Sequence, residues 1–97
     1  MKSRFTWRFP SVIGPVSVRK YLLTLEKACD IDTIVFDMTR TVGIHSAFLW
    51  FLVFAMNRLL ARGRNVVFLM SPHIRQTLAM LGMSDYFTVV DRSKKAA

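Results

Sequence analysis

Thr33-Ile34-Val35-Phe36-Asp37-Met38, then the polar loop Thr39 to Gly43, then Ile44-His45-Ser46 opening the run Ala47-Phe48-Leu49-Trp50-Phe51-Leu52-Val53-Phe54-Ala55-Met56, is the stretch that decides the fold. The first segment is a short apolar run of the kind that forms a strand buried on both faces of a partly parallel sheet. The last segment is apolar throughout and is preceded by Ser46, which is expected to be the N-cap of a helix ending near Arg62-Gly63. A strand-end loop that feeds a helix N-terminus is a frequent site of function, because the first-turn N–H groups there have no partner within the helix.

Working outward, Asn65-Val66-Val67-Phe68-Leu69-Met70 repeats the buried-strand signature directly after Gly63. Ser71-Pro72 supplies an N-cap and a first-turn proline for a further helix, whose apolar face is Ile74, Leu78 and Leu81 and whose C′ residue is Gly82. Tyr86-Phe87-Thr88-Val89-Val90 reads as a last short strand, and residues 91–97 as a frayed polar tail. Upstream, Phe5-Thr6-Trp7-Arg8-Phe9 alternates with period two, and Pro10 confines that strand to an edge. Ser17 opens a helix over 17–29, with Val18, Leu22, Leu25 and Cys29 inward and Arg19, Lys20 and Lys27 outward. The alternation of strand and helix predicts a small α/β sandwich with right-handed crossovers.

Composition narrows what this domain does. With 97 residues the chain is one domain with a single core, too small for a two-domain catalytic cleft. A hydrophobic content of 53% is high for that size, so some apolar surface is expected to meet another molecule. Cys29 is the single cysteine and forms no internal disulfide, which suits a reducing compartment. No secretory signal pattern follows the basic Met1-Lys2-Ser3-Arg4, and the run after His45 is interrupted by Asn57 and Arg58, well short of the ~20 residues a bilayer requires. The expectation is a cytoplasmic protein without a transmembrane segment.

The formal net charge of +8 raises the possibility of nucleic acid. The basic residues form no single periodic stripe, and no zinc-ligand spacing, glycine-rich phosphate loop or aromatic RNA-binding signature accompanies them. Nucleic acid is therefore not the expected partner. His45 and His73 have no ligand set around them in the sequence, so no metal and no cofactor is expected.

The order and spacing of these pieces, from Ile13 through Ile44-His45-Ser46, Leu60-Ala61-Arg62-Gly63, Ser71-Pro72 and Leu81-Gly82-Met83 to Val90, resemble the STAS domain, the family of sulfate transporters and anti-sigma factor antagonists. The resemblance implies a mixed, mostly parallel sheet of four to five strands with about three helices. It also implies a non-enzymatic module that regulates transcription by docking a protein partner, either an anti-sigma factor or a kinase-like protein. In that family the loop before the long helix reads apolar residue, aspartate, serine or threonine, hydroxyl residue, glycine, leucine, glycine, and its first serine is a phosphoacceptor. Ser46 matches the phosphoacceptor and Leu49 the leucine; His45, Ala47, Phe48 and Trp50 replace the aspartate, the second hydroxyl residue and the two glycines. The acidic residues of the family's earlier loop are also replaced, by Pro15-Val16-Ser17.

The expected partner surface is accordingly His45, Ala47, Phe48, Trp50, Phe51 and Phe54 around Ser46, with Leu49, Leu52, Val53, Met56 and Leu60 packed on the sheet. Aromatics around most of the helix circumference predict a homodimer or an obligate partner contact, unless Phe5, Trp7 and Phe9 fold over them. An alternative is a structural subunit, a homodimer or an accessory of a membrane transport complex, without a phosphoswitch. A competing enzymatic reading takes Ile34 to Thr41, which looks like the first motif of haloacid dehalogenase phosphatases with Asp37 as nucleophile. Thr39 stands where that chemistry needs a second aspartate, and no later acidic pair is available to hold Mg²⁺.

Overall fold

The computed structural model describes residues 3–14 and 17–87, with the backbone alone described at Ser17. In chain order the elements are β1 (Arg4–Arg8), β2 (Val12–Ile13), α1 (Ser17–Ala28), β3 (Thr33–Met38), β4 (Gly43–Ile44), α2 (Ser46–Ala61), β5 (Asn65–Met70) and α3 (Pro72–Met80). A single 3₁₀ turn at Ser84–Tyr86 follows. Tyr86 thus lies in a turn where a strand was expected, and the remainder of that expected strand, from Thr88, lies outside the described residues.

The strands divide into two parallel sets, β1-β3-β5 and the short pair β2-β4. Among the described strands β1 lies at an edge, in keeping with Pro10 just beyond it. Register places Trp7 opposite Phe36 and Phe36 opposite Phe68. These three rings form a row across the sheet, with centroids 5.5 Å and 5.1 Å apart, on the face that receives α1 and α2. The period-two pattern of Phe5, Trp7 and Phe9 is thereby explained: alternate side chains of a strand share a face, and this face is the core.

On α1 the inward residues are Val18, Tyr21, Leu25, Ala28 and the adjoining Cys29. Leu22, expected inside, is displaced to the surface at 38% exposure, and Tyr21 takes its place, edge-on to Trp7, Phe9 and Phe48. Tyr21 lies three residues after Val18 and four before Leu25, squarely on their stripe, whereas Leu22 falls at its border, and the ring finds aromatic partners there. Glu26 of α1 and Arg58 of α2 are joined by an ion pair of 2.9 Å.

The C-termini of α2 and α3 are both closed by glycine. Gly63 and Gly82 have φ of +75° and +70°. The N–H groups of Gly63 and Arg64 return to the carbonyls of Leu60 and Leu59, and those of Gly82 and Met83 to Ala79 and Leu78, two Schellman terminations. At the other end of α3, Ser71 accepts the N–H of Ile74 and donates its hydroxyl to the carbonyl of Thr41. That bond ties α3 to the loop ahead of α2. Leu81 falls just past the α3 face and is 55% exposed, so its expected burial is not realised.

Candidate functional site: the N-terminal half of the long helix

The loop entering α2 is held from below by the β2–β4 pair. The carbonyl of Ser11 accepts the N–H groups of Val42 and Gly43, and the N–H of His45 donates to Ile13 at 3.0 Å. The backbone of His45 is therefore fixed in an extended conformation, φ −85° and ψ 149°, where a helix cap must lie. Its Nδ1 accepts the N–H of Ala47 at 3.1 Å. His45 is the N-cap, and Ser46 is the first helical residue. The expectation that Ser46 caps the helix is corrected: among the described hydrogen bonds none involves the Ser46 hydroxyl, which stands exposed beside a cap already filled.

Turning the helix axis from this cap separates two sets of side chains. Phe48, Phe51, Leu52, Ala55 and Leu59 are buried. Phe48 packs against Phe9 at 5.2 Å and Tyr21 at 5.7 Å, while Phe51 meets Trp7 edge-on at 5.7 Å. Phe48 and Phe51, at 0% and 3% exposure, are thus core residues and are removed from the partner surface expected of them. The physical reason is the aromatic edge strand, which offers them rings on the inside. Leu49, Val53 and Met56 flank the core half-buried, and Leu60 is on the surface.

What remains outside is Ser46, Trp50 and Phe54, spaced by four on one stripe of the helix, with His45 and Ala47 at its head. Trp50 is 75% exposed. Phe54 is half covered, with the guanidinium of Arg58 lying 5.9 Å from its ring centre. Beside this stripe runs an apolar groove of about 380 Å³, lined by Ser46, Leu49, Trp50, Val53, Leu81, Met83 and Tyr86. Leu81 and Tyr86 were not anticipated at this site. Their contribution depends on the 3₁₀ turn after α3 folding back toward α2, a feature with no local sequence pattern of its own.

Asp37 lies near the end of β3 and is largely buried. Its Oδ1 accepts the N–H of Thr39 at 3.1 Å and the Thr39 hydroxyl at 2.7 Å, and its Oδ2 is 3.9 Å from Nε of Arg8. The residue that stands where a general acid would be needed instead satisfies the carboxylate. Among the described residues no group of His, Cys, Asp and Glu is arranged to hold a metal ion, and no helix is long and apolar enough to cross a membrane.

The parallel sheet, its covering helices and the capped helix that starts from a strand-end loop define a STAS-like α/β fold. Among solved structures, the anti-sigma factor antagonist SpoIIAA in its unphosphorylated form superimposes with a TM-score of 0.78 at 15% sequence identity, over 99% of this chain and 85% of that one. The phosphorylated form of SpoIIAA, a Bacillus cell fate determinant, gives a TM-score of 0.75 at 16% identity, over 99% of this chain and 88% of that one. No protein-family model matches the sequence, and no curated protein matches it. Identities this low carry the fold alone.

Proposed function

We propose that this protein is a non-enzymatic regulatory module that docks a protein partner through the His45-Ser46-Ala47 loop and the Trp50–Phe54 stripe of α2. The observation that carries the reading is the pairing of an uncommitted, exposed Ser46 hydroxyl with a 75% exposed Trp50 on the rim of an apolar groove. A tryptophan left in water on a rigid helix is a typical anchor of a protein interface. The likeness to SpoIIAA, an anti-sigma factor antagonist solved with and without phosphate, supports a regulatory partner of the anti-sigma or kinase kind. The bonding of Asp37 to Thr39 supports the absence of phosphatase chemistry.

Ser46 is the phosphoacceptor in this reading. A phosphate on Ser46 adds roughly −1.5 to −2 charges at pH 7, and the helix N-terminus tolerates that charge within the free protein. A partner packed on Trp50 does not tolerate it, because the anion is then trapped against an apolar surface. Phosphorylation therefore releases the partner without unfolding the domain.

The test is recovery of the partner from source-cell lysate on immobilised protein, its identification, and titration of that partner against Ser46→Asp. An anti-sigma factor or kinase-like partner, with binding to Ser46→Asp weakened, agrees with the proposal. A transporter subunit as partner, with Ser46→Asp binding as tightly as wild type, selects the assembly-subunit reading instead.

A further inference from the structure

Charge is distributed unevenly between the two ends of the sheet. At the amino ends of the strands, acids and bases are matched: Arg58 with Glu26, Arg62 with Asp30, and Arg64 with Asp32, at 2.9, 3.9 and 3.6 Å. At the carboxyl ends the described residues include Arg8 closing β1, Arg40 after β3, and Arg19 and Lys20 in the first turn of α1, while the acid there is Asp37. An open pocket of about 690 Å³ lies at this end, lined by Arg8, Phe9, Pro10, Ser11, Asp37, Thr39 and Arg40. It is separate from the groove beside α2, with which it shares no lining residue.

Asp37 offsets part of this positive charge through its 3.9 Å ion pair with Arg8. That distance is beyond hydrogen bonding, and Oδ1 accepts from Thr39, so the donors of the 80% exposed Arg8 side chain are not used up by the carboxylate, and Arg40 adds a second positive charge to the lining. Register puts Arg8 directly opposite Asp37 on adjacent strands, which holds the base of the arginine in place without consuming its fork. Arg40 makes no described ion pair and flanks the same space. The hydroxyl-bearing Ser11 and Thr39 complete the lining.

The geometry points to a binding site for a small organic oxyanion, a phosphomonoester or a carboxylate, gripped between Arg8 and Arg40 at the carboxyl ends of β1 and β3. Paired guanidinium forks match the two oxygens of such a group, and the space outside the carboxyl ends of parallel strands is where open α/β sheets take up ligands. The volume lies in the range of small-molecule sites, so the open pocket has room for an anionic group carried on a body of several heavy atoms.

Titration of the ¹⁵N-labelled full chain at low ionic strength, with glycerol 3-phosphate, inorganic phosphate and citrate as separate probes, tests this. Saturable shifts at the amides of Phe9, Ser11, Thr39 and Arg40 are expected, and the phosphate and citrate arms tell which oxyanion is preferred. Arg40→Gln and Arg8→Gln are each expected to weaken binding about tenfold, equivalent to ~1.4 kcal/mol. Arg4→Gln, the same charge change at the other end of β1, is expected to leave affinity within about twofold, because it removes only screened long-range attraction. Arg40→Gln disturbs no described contact, so it reads the site even where Arg8→Gln perturbs Asp37. Absence of saturable shifts for every probe, or equal weakening by Arg4→Gln, overturns the site.

Discussion

Nδ1 of His45 accepts the backbone N–H of Ala47 at 3.1 Å, so a histidine does at the head of α2 what an aspartate or asparagine side chain does at most helix starts. In the STAS pattern this position is an aspartate, and the replacement keeps the cap while removing the charge. Ser46 is thereby relieved of any capping duty.

His45→Ala is expected to cost about 1 kcal/mol of stability, the usual worth of an N-cap, and His45→Asp to be at least as stable as wild type because it restores a cap and adds a favourable charge at the helix N-terminus. Urea unfolding of the three proteins checks this. Equal midpoints for wild type and His45→Ala would show that the hydrogen bond to Ala47 contributes nothing.

The hydroxyl of Ser46, exposed and uncommitted, predicts that Ser46→Ala leaves stability unchanged to within about 0.5 kcal/mol, as for an ordinary surface substitution. The same denaturant titration applies. A loss on the scale of His45→Ala would return the capping role to Ser46.

Phe48 and Trp50 sit two residues apart and are expected to respond in opposite ways. Phe48→Ala removes a fully buried ring from the Phe9–Tyr21 cluster and is expected to destabilise by about 3–5 kcal/mol. Trp50→Lys exchanges a side chain 75% exposed and is expected to leave the domain folded. Thermal unfolding with near-UV circular dichroism compares the two; a cooperative transition lost in Trp50→Lys would mean that Trp50 belongs to the core.

If the Trp50–Phe54 stripe also serves contact between two copies of the chain, sedimentation gives a concentration-dependent dimer for wild type and a monomer for Trp50→Lys. Several aromatic side chains, each worth on the order of 1.5–3 kcal/mol on burial, supply the drive. A wild-type monomer at all concentrations removes self-association and leaves the stripe to a different partner.

Much of the fold was legible because its punctuation is local. Ser71-Pro72, Gly63 and Gly82 each stand at an element boundary for a reason contained in the residue itself, and the runs at 33–38 and 65–70 are too short and too apolar to be anything but buried strands. The site was harder to read. An all-apolar helix gives no rotation: of the expected inward face Leu49, Leu52, Val53, Met56 and Leu60, Leu52 is fully buried, Leu49, Val53 and Met56 only flank the core and Leu60 is exposed, while Phe48, Phe51, Ala55 and Leu59 complete the buried face. Counting back from exposed Asn57 in helical steps reaches Val53 or Phe54 and then Trp50, which marks the solvent stripe; that polar residue was the available signal. The cap escaped notice because histidine is outside the usual capping set, although its Nδ1 lies at a similar reach to an asparagine oxygen. The pairs β2–β4 are two residues each and depend on tertiary hydrogen bonding, which no period in the sequence announces.

The most direct measurement of the docking surface is calorimetric titration of the identified partner against wild type, Trp50→Lys, Ser46→Asp and Leu23→Lys, the last altering an exposed leucine on α1 away from the site. At least about a thirtyfold loss is expected for Trp50→Lys, the ~2 kcal/mol of an interface anchor, with a comparable loss for Ser46→Asp and none for Leu23→Lys. Undiminished binding by folded Trp50→Lys and Ser46→Asp proteins, or a loss confined to Leu23→Lys, would contradict that surface.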